Sequence, residues 1–302
     1  MMSKGTLGVV SPGDMGHVVG SVIANKGYRV ITFLDGRSDV TRRRAERSNM
    51  EDVGSLENLI READVVLSIL PPEIALDFAG EAADFMRDLG ASPLFSDCNA
   101  ISPETTLKID TLMKNAGSSF VKVGIIGPPP RRGVTTKFYA SGPHTGQLAF
   151  LEGDGISYRP LGDEITRAAA LKMCYAGLTK GTMTLQTSVL TVGELLGISD
   201  ELQAEFADSQ KFHWDLMNKR VPFYAADAGR WAGEMDEISK TFMDAGVSGN
   251  LHRGAAEVFR LLDASPLGAE TRETLNQDRT LDQAINIYAD TVRTIKGPKK
   301  DS

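Results

Sequence analysis

The stretch GVVSPGDMGHVVG, from Gly8 to Gly20, decides how the first half of this chain is read. A short β-rich run, TLGVV (6–10), leads into it, and apolar residues spaced three and four apart follow it. Ser11, Gly13 and Gly16 occupy the three glycine positions of a G-x-G-x-x-G fingerprint, with serine in the first. In that fingerprint the last two glycines allow close approach of a pyrophosphate and tight packing of helix on strand, while N–H groups at the helix start meet the anion. The helix is expected to begin near Asp14, and Ser11-Pro12 must make the turn that a first glycine normally makes. A second strand, YRVITFL (28–34), ends at Asp35, about twenty residues further on, where an acid that binds ribose is expected.

A dinucleotide is therefore the expected ligand of this loop. Asp35 favours a free 2′-hydroxyl and hence NAD, whereas Arg37 and Ser38 just after it suit a 2′-phosphate and hence NADP. The run Arg42-Arg43-Arg44 either adds to the second case or forms a solvated helix face. On balance NADP is favoured over NAD.

Outward from this segment the pattern repeats. Strand-like runs DVVLSIL (64–70), PLFSD (93–97), FVKVGII (120–126) and KFYASG (137–142) alternate with helical stretches such as PEIALDFAGEAADFMRDLG. Such alternation implies βαβ units and a doubly wound, mostly parallel sheet of the Rossmann type. From about Asp163 strands give way to helical patterns over 164–196, 201–217, 228–244, 250–263 and 269–295, broken by DAG, VSGN and ASPLG. The expected organisation is an α/β nucleotide-binding domain over 1–162 and an all-α domain over 163–302 that serves substrate binding and dimerisation, with GPKKDS as a frayed tail.

Composition narrows the function. The chain has 302 residues, 41% hydrophobic and 24% charged, which suits a buried core in one or two domains. Its 33 basic and 40 acidic residues give a formal charge of −7, which argues against a general nucleic-acid binder. Two cysteines, Cys98 and Cys174, offer neither a disulfide framework nor metal-ligand spacing, and the four histidines are scattered, so no metal is expected. The opening MMSKGTLGVV has no apolar signal core and no run is long enough to span a bilayer, so a cytoplasmic protein without membrane association is expected.

Four segments, SPGDMG (11–16), ILPP (69–72), SDCNAISPET (96–105) and RAAALKMCYAG (167–177), together resemble the β-hydroxyacid dehydrogenase family. These are relatives of 6-phosphogluconate dehydrogenase that include 3-hydroxyisobutyrate dehydrogenase and tartronate semialdehyde reductase. Met15 and Gly16 match the family's G-L-G-x-M-G, and Asp97, Pro103 and Thr105 match its D-x-S-T-x-x-P-x-T. The resemblance implies that Ser11, Pro12, Gly13, Asp14, Met15 and Gly16, then Leu70, Pro71 and Pro72, and then Asn99, border the cofactor. It also places the catalytic lysine at Lys172. Ile126, Gly127 and Pro128 fall in the substrate loop, where KVGIIGPPPRRG (122–133) stands against the family's D-A-P-V-S-G-G and Ile126 replaces a carboxylate-binding serine. The asparagine expected four residues after the lysine is Ala176, and RWAGEMDEI (230–238) stands where a later lysine is usual. GPPPRRG, LKMCYAG and RWAGEM resemble a branch whose helical C-terminal domain is of unknown function.

Moving a hydride between an alcohol and a nicotinamide requires a group that takes or returns the hydroxyl proton. Lys172, Tyr175, Thr179, Thr182 and Gln186 fall on one polar stripe of an otherwise apolar helix, which is expected to face the cleft between the domains. A lysine base working near neutral pH needs its pKa lowered from about 10.4, and apolar neighbours such as Met173 and Ile126 would lower it. Tyr175 either takes over the missing asparagine's hydrogen bond to substrate or packs as an ordinary aromatic, and Thr179 is a further candidate contact. Arg131-Arg132 face either a substrate anion or solvent, while Trp231, Glu234 and His252 read as core or surface. The expected activity is NAD(P)-dependent oxidation of a small hydroxy acid or reduction of its oxo or semialdehyde counterpart. Imine or ketone reduction, oxidative decarboxylation and a non-catalytic dinucleotide sensor are the alternatives. The resembling family and the long apolar helices together imply a homodimer.

Overall fold

The computed structural model describes residues 4–131 and 133–296. Arg132 and the GPKKDS tail lie outside the described residues. The chain divides into two compact units, Met1–Met173 and Cys174–Ser302.

The first unit is built on one eight-stranded sheet. In chain order its elements are β1 (Thr6–Val9), α1 (Gly16–Asn25), β2 (Arg29–Thr32), α2 (Asp39–Arg47), β3 (Glu51–Asp52) and α3 (Leu56–Glu62). There follow β4 (Val65–Ser68), α4 (Ala75–Leu89), β5 (Leu94–Asp97), α5 (Pro103–Asn115), β6 (Phe120–Ile126), β7 (Thr136–Ser141) and β8 (Ile156–Pro160). The strand order is β3-β2-β1-β4-β5-β6-β7-β8, parallel from β3 through β6; β7 runs antiparallel to β6, and β8 is parallel to β7. The chain leaves β1 in one direction for β2 and β3 and returns to the other side for β4, so the order reverses between β1 and β4. That reversal is where open α/β sheets bind ligands, outside the carboxyl ends of the strands.

Alternation along the strands divides the core. Leu7, Val30, Leu67, Leu94, Val121 and Val123 face α1 and α2. Ile31, Val66, Phe95 and Phe120 face α3, α4 and α5. Serines 38, 55 and 102 start α2, α3 and α5, each accepting a hydrogen bond from the N–H three residues on. The expected βαβ alternation and doubly wound sheet are present. β3 and β8 are additional strands: β3 is two exposed acidic residues with no apolar signature, and β8 carries Arg159 and Pro160 on the sheet edge. α1 begins at Gly16 rather than near Asp14, with Met15 as its cap.

The all-α region comprises α6 (Arg167–Leu196), α7 (Ser199–Ser209), α8 (Lys211–Arg220), α9 (Ala225–Asp244), α10 (Asn250–Asp263) and α11 (Leu281–Lys296). The boundary between the two units falls within α6. The single helix expected over 201–217 is two, broken at Gln210, whose φ of −128° and ψ of 38° interrupt the ladder. The expected helix over 269–295 starts only at Leu281. Thr280 and Gln283 form a reciprocal capping box there, each side chain accepting the other's backbone N–H. The segment before it is tied down instead by Arg272 to Asp227 and by Arg279 to Glu270 and the Pro222 carbonyl. Within the second unit Trp231 packs between Tyr224 and Phe259, with ring centroids 6.1 and 5.3 Å away.

Candidate active site

Four sequence-predicted segments emerge at the same end of the sheet because β1, β4, β5 and β6 are parallel neighbours. They are residues 10–15 after β1, 69–72 after β4, 98–102 after β5 and 127–130 after β6. The loop after β2, which holds Asp35, Arg37 and Ser38, joins them from the other side of β1.

The two glycines of the first loop do different work. A Cβ on Gly16 would lie 1.9 Å from the Ser11 carbonyl oxygen, so Gly16 is what allows α1 to close against the end of β1. A Cβ on Gly13 would have the Ser11 hydroxyl at 3.8 Å as its nearest neighbour, so packing does not require glycine there and the space is open. An open glycine at a helix start, beside N–H groups without intrahelical acceptors, fits a pyrophosphate. The loop is fixed by its own polar groups: the His17 ring Nδ1 meets the Gly13 carbonyl at 2.6 Å, and Asp14 pairs with Arg44 of α2 at 2.9 Å. Pro12 is buried and Met15 half-buried.

At the end of β2, Asp35 is exposed and Gly36 turns the chain with φ +67°. Arg37 lies 5.3 Å over the Phe33 ring, and Ser38 caps α2. Of the arginine run, Arg42 is committed to the backbone, donating to the Leu34 carbonyl at 2.5 Å and the Arg37 carbonyl at 3.3 Å, and Arg44 to Asp14. Arg37, half-buried, and Arg43, exposed, remain at the loop surface.

Asn99 is 3% exposed. Its amide donates to Ser68 Oγ and Asp97 Oδ2 and its Oδ1 accepts from the Leu70 N–H, so it pins the ends of β4 and β5 together and holds Leu70 from behind. Beneath it Lys122 of β6, fully buried, donates to Asp97 Oδ1 and to the Asn99 carbonyl. Removing one partner of such a buried pair strands a charge, at a typical cost of about 3–5 kcal/mol. The sequence reading missed this pair, although one lysine inside the apolar run FVKVGII signals a buried partner. Pro71 is exposed beyond Leu70, and Pro72 is buried at the start of a short 3-10 turn. Burial pushes the Cys98 thiol up to about 12, which leaves it unreactive.

After β6, Ile126 is 8% exposed, Gly127 adopts φ +121°, and the Pro128 carbonyl accepts from the Thr136 hydroxyl. Lys122, Gly124 and Ile126 share one face of β6. Lys172, half-buried on α6, lies over that face: a Cβ on Gly124 would be 3.1 Å from Lys172 Cβ. Met173 beside it is buried. The rest of the expected polar stripe is not uniform. Tyr175 is 49% exposed, the Thr179 and Thr182 hydroxyls return to carbonyls of α6, and Gln186 is buried. In the second unit Lys180 pairs with Glu234 and lies 5.9 Å over the Trp231 ring, and His252 is buried. Among the described residues no group of His, Cys, Asp and Glu is arranged to hold a metal.

Fold, topology and glycine loop define an NAD(P)-binding Rossmann protein. Residues 6–144 match the NAD-binding domain of 6-phosphogluconate dehydrogenase, and residues 194–262 match a domain of unknown function, DUF1932. The chain therefore joins a segment similar to the NAD-binding domain of 6-phosphogluconate dehydrogenase to a later segment similar to DUF1932. An uncharacterized 28.5 kDa protein of Methanothermus fervidus is 28% identical over 236 residues, 78% of this chain and 89% of that protein. A 3-hydroxyisobutyrate dehydrogenase of Mycobacterium tuberculosis, solved with L-serine, shares the fold with a TM-score of 0.63 at 16% identity, covering 94% of this chain and 99% of that one. An imine reductase of Myxococcus stipitatus, solved with NADP+, has a TM-score of 0.54 at 15% identity, covering 85% and 92%.

Proposed function

We propose that this chain is an NADP-dependent oxidoreductase that moves a hydride between the nicotinamide and a small hydroxy acid or its oxo or semialdehyde counterpart, with Lys172 as general acid/base. The observation that carries the reading is the seating of Lys172 over Gly124 of β6, two residues before Ile126 on the same strand face. Gly13 and the start of α1 would hold the pyrophosphate, Leu70, Pro71 and Asn99 would border the nicotinamide side, and Arg37 and Ser38 would receive the 2′-phosphate. When bound, the nicotinamide takes up or gives the hydride. The Lys172 amine takes the hydroxyl proton as the alcohol carbon loses hydride, and its ammonium returns that proton in the reductive direction. Ile126, Gly127 and Pro128 shape the substrate side.

Imine or ketone reduction is the second reading, favoured by one feature: Ile126 presents a hydrocarbon where a carboxylate would need a donor. The protein acts in the cytoplasm, a setting that suits its buried and exposed free cysteines. It works as a homodimer, supported by an apolar line on α6 in which Leu178 is 73% and Leu185 61% exposed.

The test is hydride transfer followed at 340 nm with NADPH and NADH against semialdehydes, 2- and 3-oxo acids, ketones and cyclic imines. Turnover of the acids with an NADPH preference supports the first reading, and turnover of imines alone supports the second. Tight dinucleotide binding without turnover of any class points to a sensor.

A further inference from the structure

The first turns of α6 rest on the sheet through contacts from which side-chain bulk has been removed. A Cβ at Gly124, in the middle of β6, would lie 2.7 Å from the Ala168 carbonyl oxygen and 3.1 Å from Lys172 Cβ. The nearer obstacle is backbone, which cannot swing aside. A glycine inside a strand weakens it, and its presence marks a close approach of another backbone. On the neighbouring strand Ser141, fully buried, donates from Oγ to the Ile165 carbonyl at 2.7 Å and accepts from the Ala168 N–H at 3.0 Å. Gly142 follows with φ +115°, and a Cβ there would come within 2.6 Å of Ile165 Cδ1. The start of α6 is therefore fixed from β6 by an absent side chain and from β7 by a hydroxyl that satisfies one donor and one acceptor of the entering chain.

Ala168 and Lys172 are one turn apart and share a helix face. Whatever sets the height of Ala168 above β6 sets the height of Lys172. We propose that Gly124 and Ser141 are positioning residues for Lys172: they fix the depth at which its side chain leaves α6 above β6, and so the reach of its amine to the reacting hydroxyl. This rests on Lys172 being the acid/base of the proposed reaction. A misplacement of about 1 Å at a reacting group is enough to cost about 10²-fold in rate.

The experiment is a double-mutant cycle on the full chain. Gly124→Ala and Ser141→Ala are made singly and in the Lys172→Ala background, and kcat, dinucleotide KM and melting temperature are measured with NADPH and a substrate from the screen above. Each single variant is expected to lower kcat by about 10–100-fold with dinucleotide KM held within about twofold, because cofactor binding does not depend on the seat. In the Lys172→Ala background the same substitutions are expected to change kcat by less than about twofold, since the group they position is gone. Losses that multiply, or single variants with wild-type kcat, overturn the positioning role while leaving Lys172 as acid/base. Full activity in Lys172→Ala overturns both. Should Gly124→Ala fail to fold, Ser141→Ala and ¹³C-methylation of the lysines supply the readout. The titration midpoint of the Lys172 resonance, assigned by its loss in Lys172→Ala, is expected to move by about half a pH unit in Ser141→Ala; an unmoved midpoint contradicts the proposal.

Discussion

Gly13 and Gly16 stand three residues apart, and what a methyl group would meet at each separates binding from folding. Gly13→Ala projects into open space and is expected to leave the melting temperature unchanged while weakening NADPH binding at least about tenfold, about 1.4 kcal/mol, in a fluorescence titration. Gly16→Ala drives a Cβ into the Ser11 carbonyl and is expected to lower the melting temperature by several degrees or more, each ~1 kcal/mol being worth ~2–4 °C in a chain of this kind. A second contrast lies in the thiols. Cys174 is exposed and is expected to be alkylated by iodoacetamide in the native protein; Cys98, buried and held protonated, is expected to react only after unfolding, as mass spectrometry of the peptides will show. At this scale the glycine loop was legible because a phosphate cradle needs small residues at fixed spacing, whereas Lys172 was singled out by the resemblance that RAAALKMCYAG carries. Lys122, Gly124 and Ser141 were not, because their partners Asp97, Ala168 and Ile165 lie 24 to 44 positions away in sequence and meet only through strand register.

Among the elements, α10 carries a pH-dependent weakness. His252 lies against Gly177 of α6, its ring stacks edge-on against Phe242 of α9 at 4.3 Å, and its Nδ1 has no hydrogen-bond partner among the described residues. Burial holds this imidazole below its ordinary value of 6.5, so the folded state keeps it neutral while the unfolded chain takes up a proton. A lowered pKa means that the unfolded state binds more protons between the two values; stability is present above about 6.5 and is lost as pH falls below it. His252→Gln is expected to flatten the fall in melting temperature between about pH 7 and pH 5, measured by differential scanning fluorimetry. Six of the eight strands of the first unit were readable from short β-rich runs alternating with apolar residues spaced three and four apart. β3 was not, being two acidic residues recruited by pairing with β2, and the late start of α11 turned on one capping box, T-L-D-Q (280–283), that apolar periodicity alone does not register.

For the whole molecule, the homodimer proposed above rests on the exposed apolar line of α6. Tyr175, Leu178, Leu185, Val192 and Leu196 follow steps of three, seven, seven and four, the spacing of a helix face that meets a second helix, and all five are exposed. Leu178→Glu with Leu185→Glu is expected to convert a dimer into a monomer in sedimentation at micromolar concentration; a monomeric wild type would contradict the assembly proposed above. Among the described residues no helix is long and apolar enough to cross a membrane. The proposed chemistry depends on one amine, and the most direct measurement replaces it and then returns it. In Lys172→Ala the rate of hydride transfer at 340 nm is predicted to fall about 10²–10⁴-fold with NADPH affinity retained, and added methylamine is predicted to restore part of the loss in proportion to its concentration. A variant that turns over substrate at the wild-type rate would contradict the account, because no proton would then pass through Lys172.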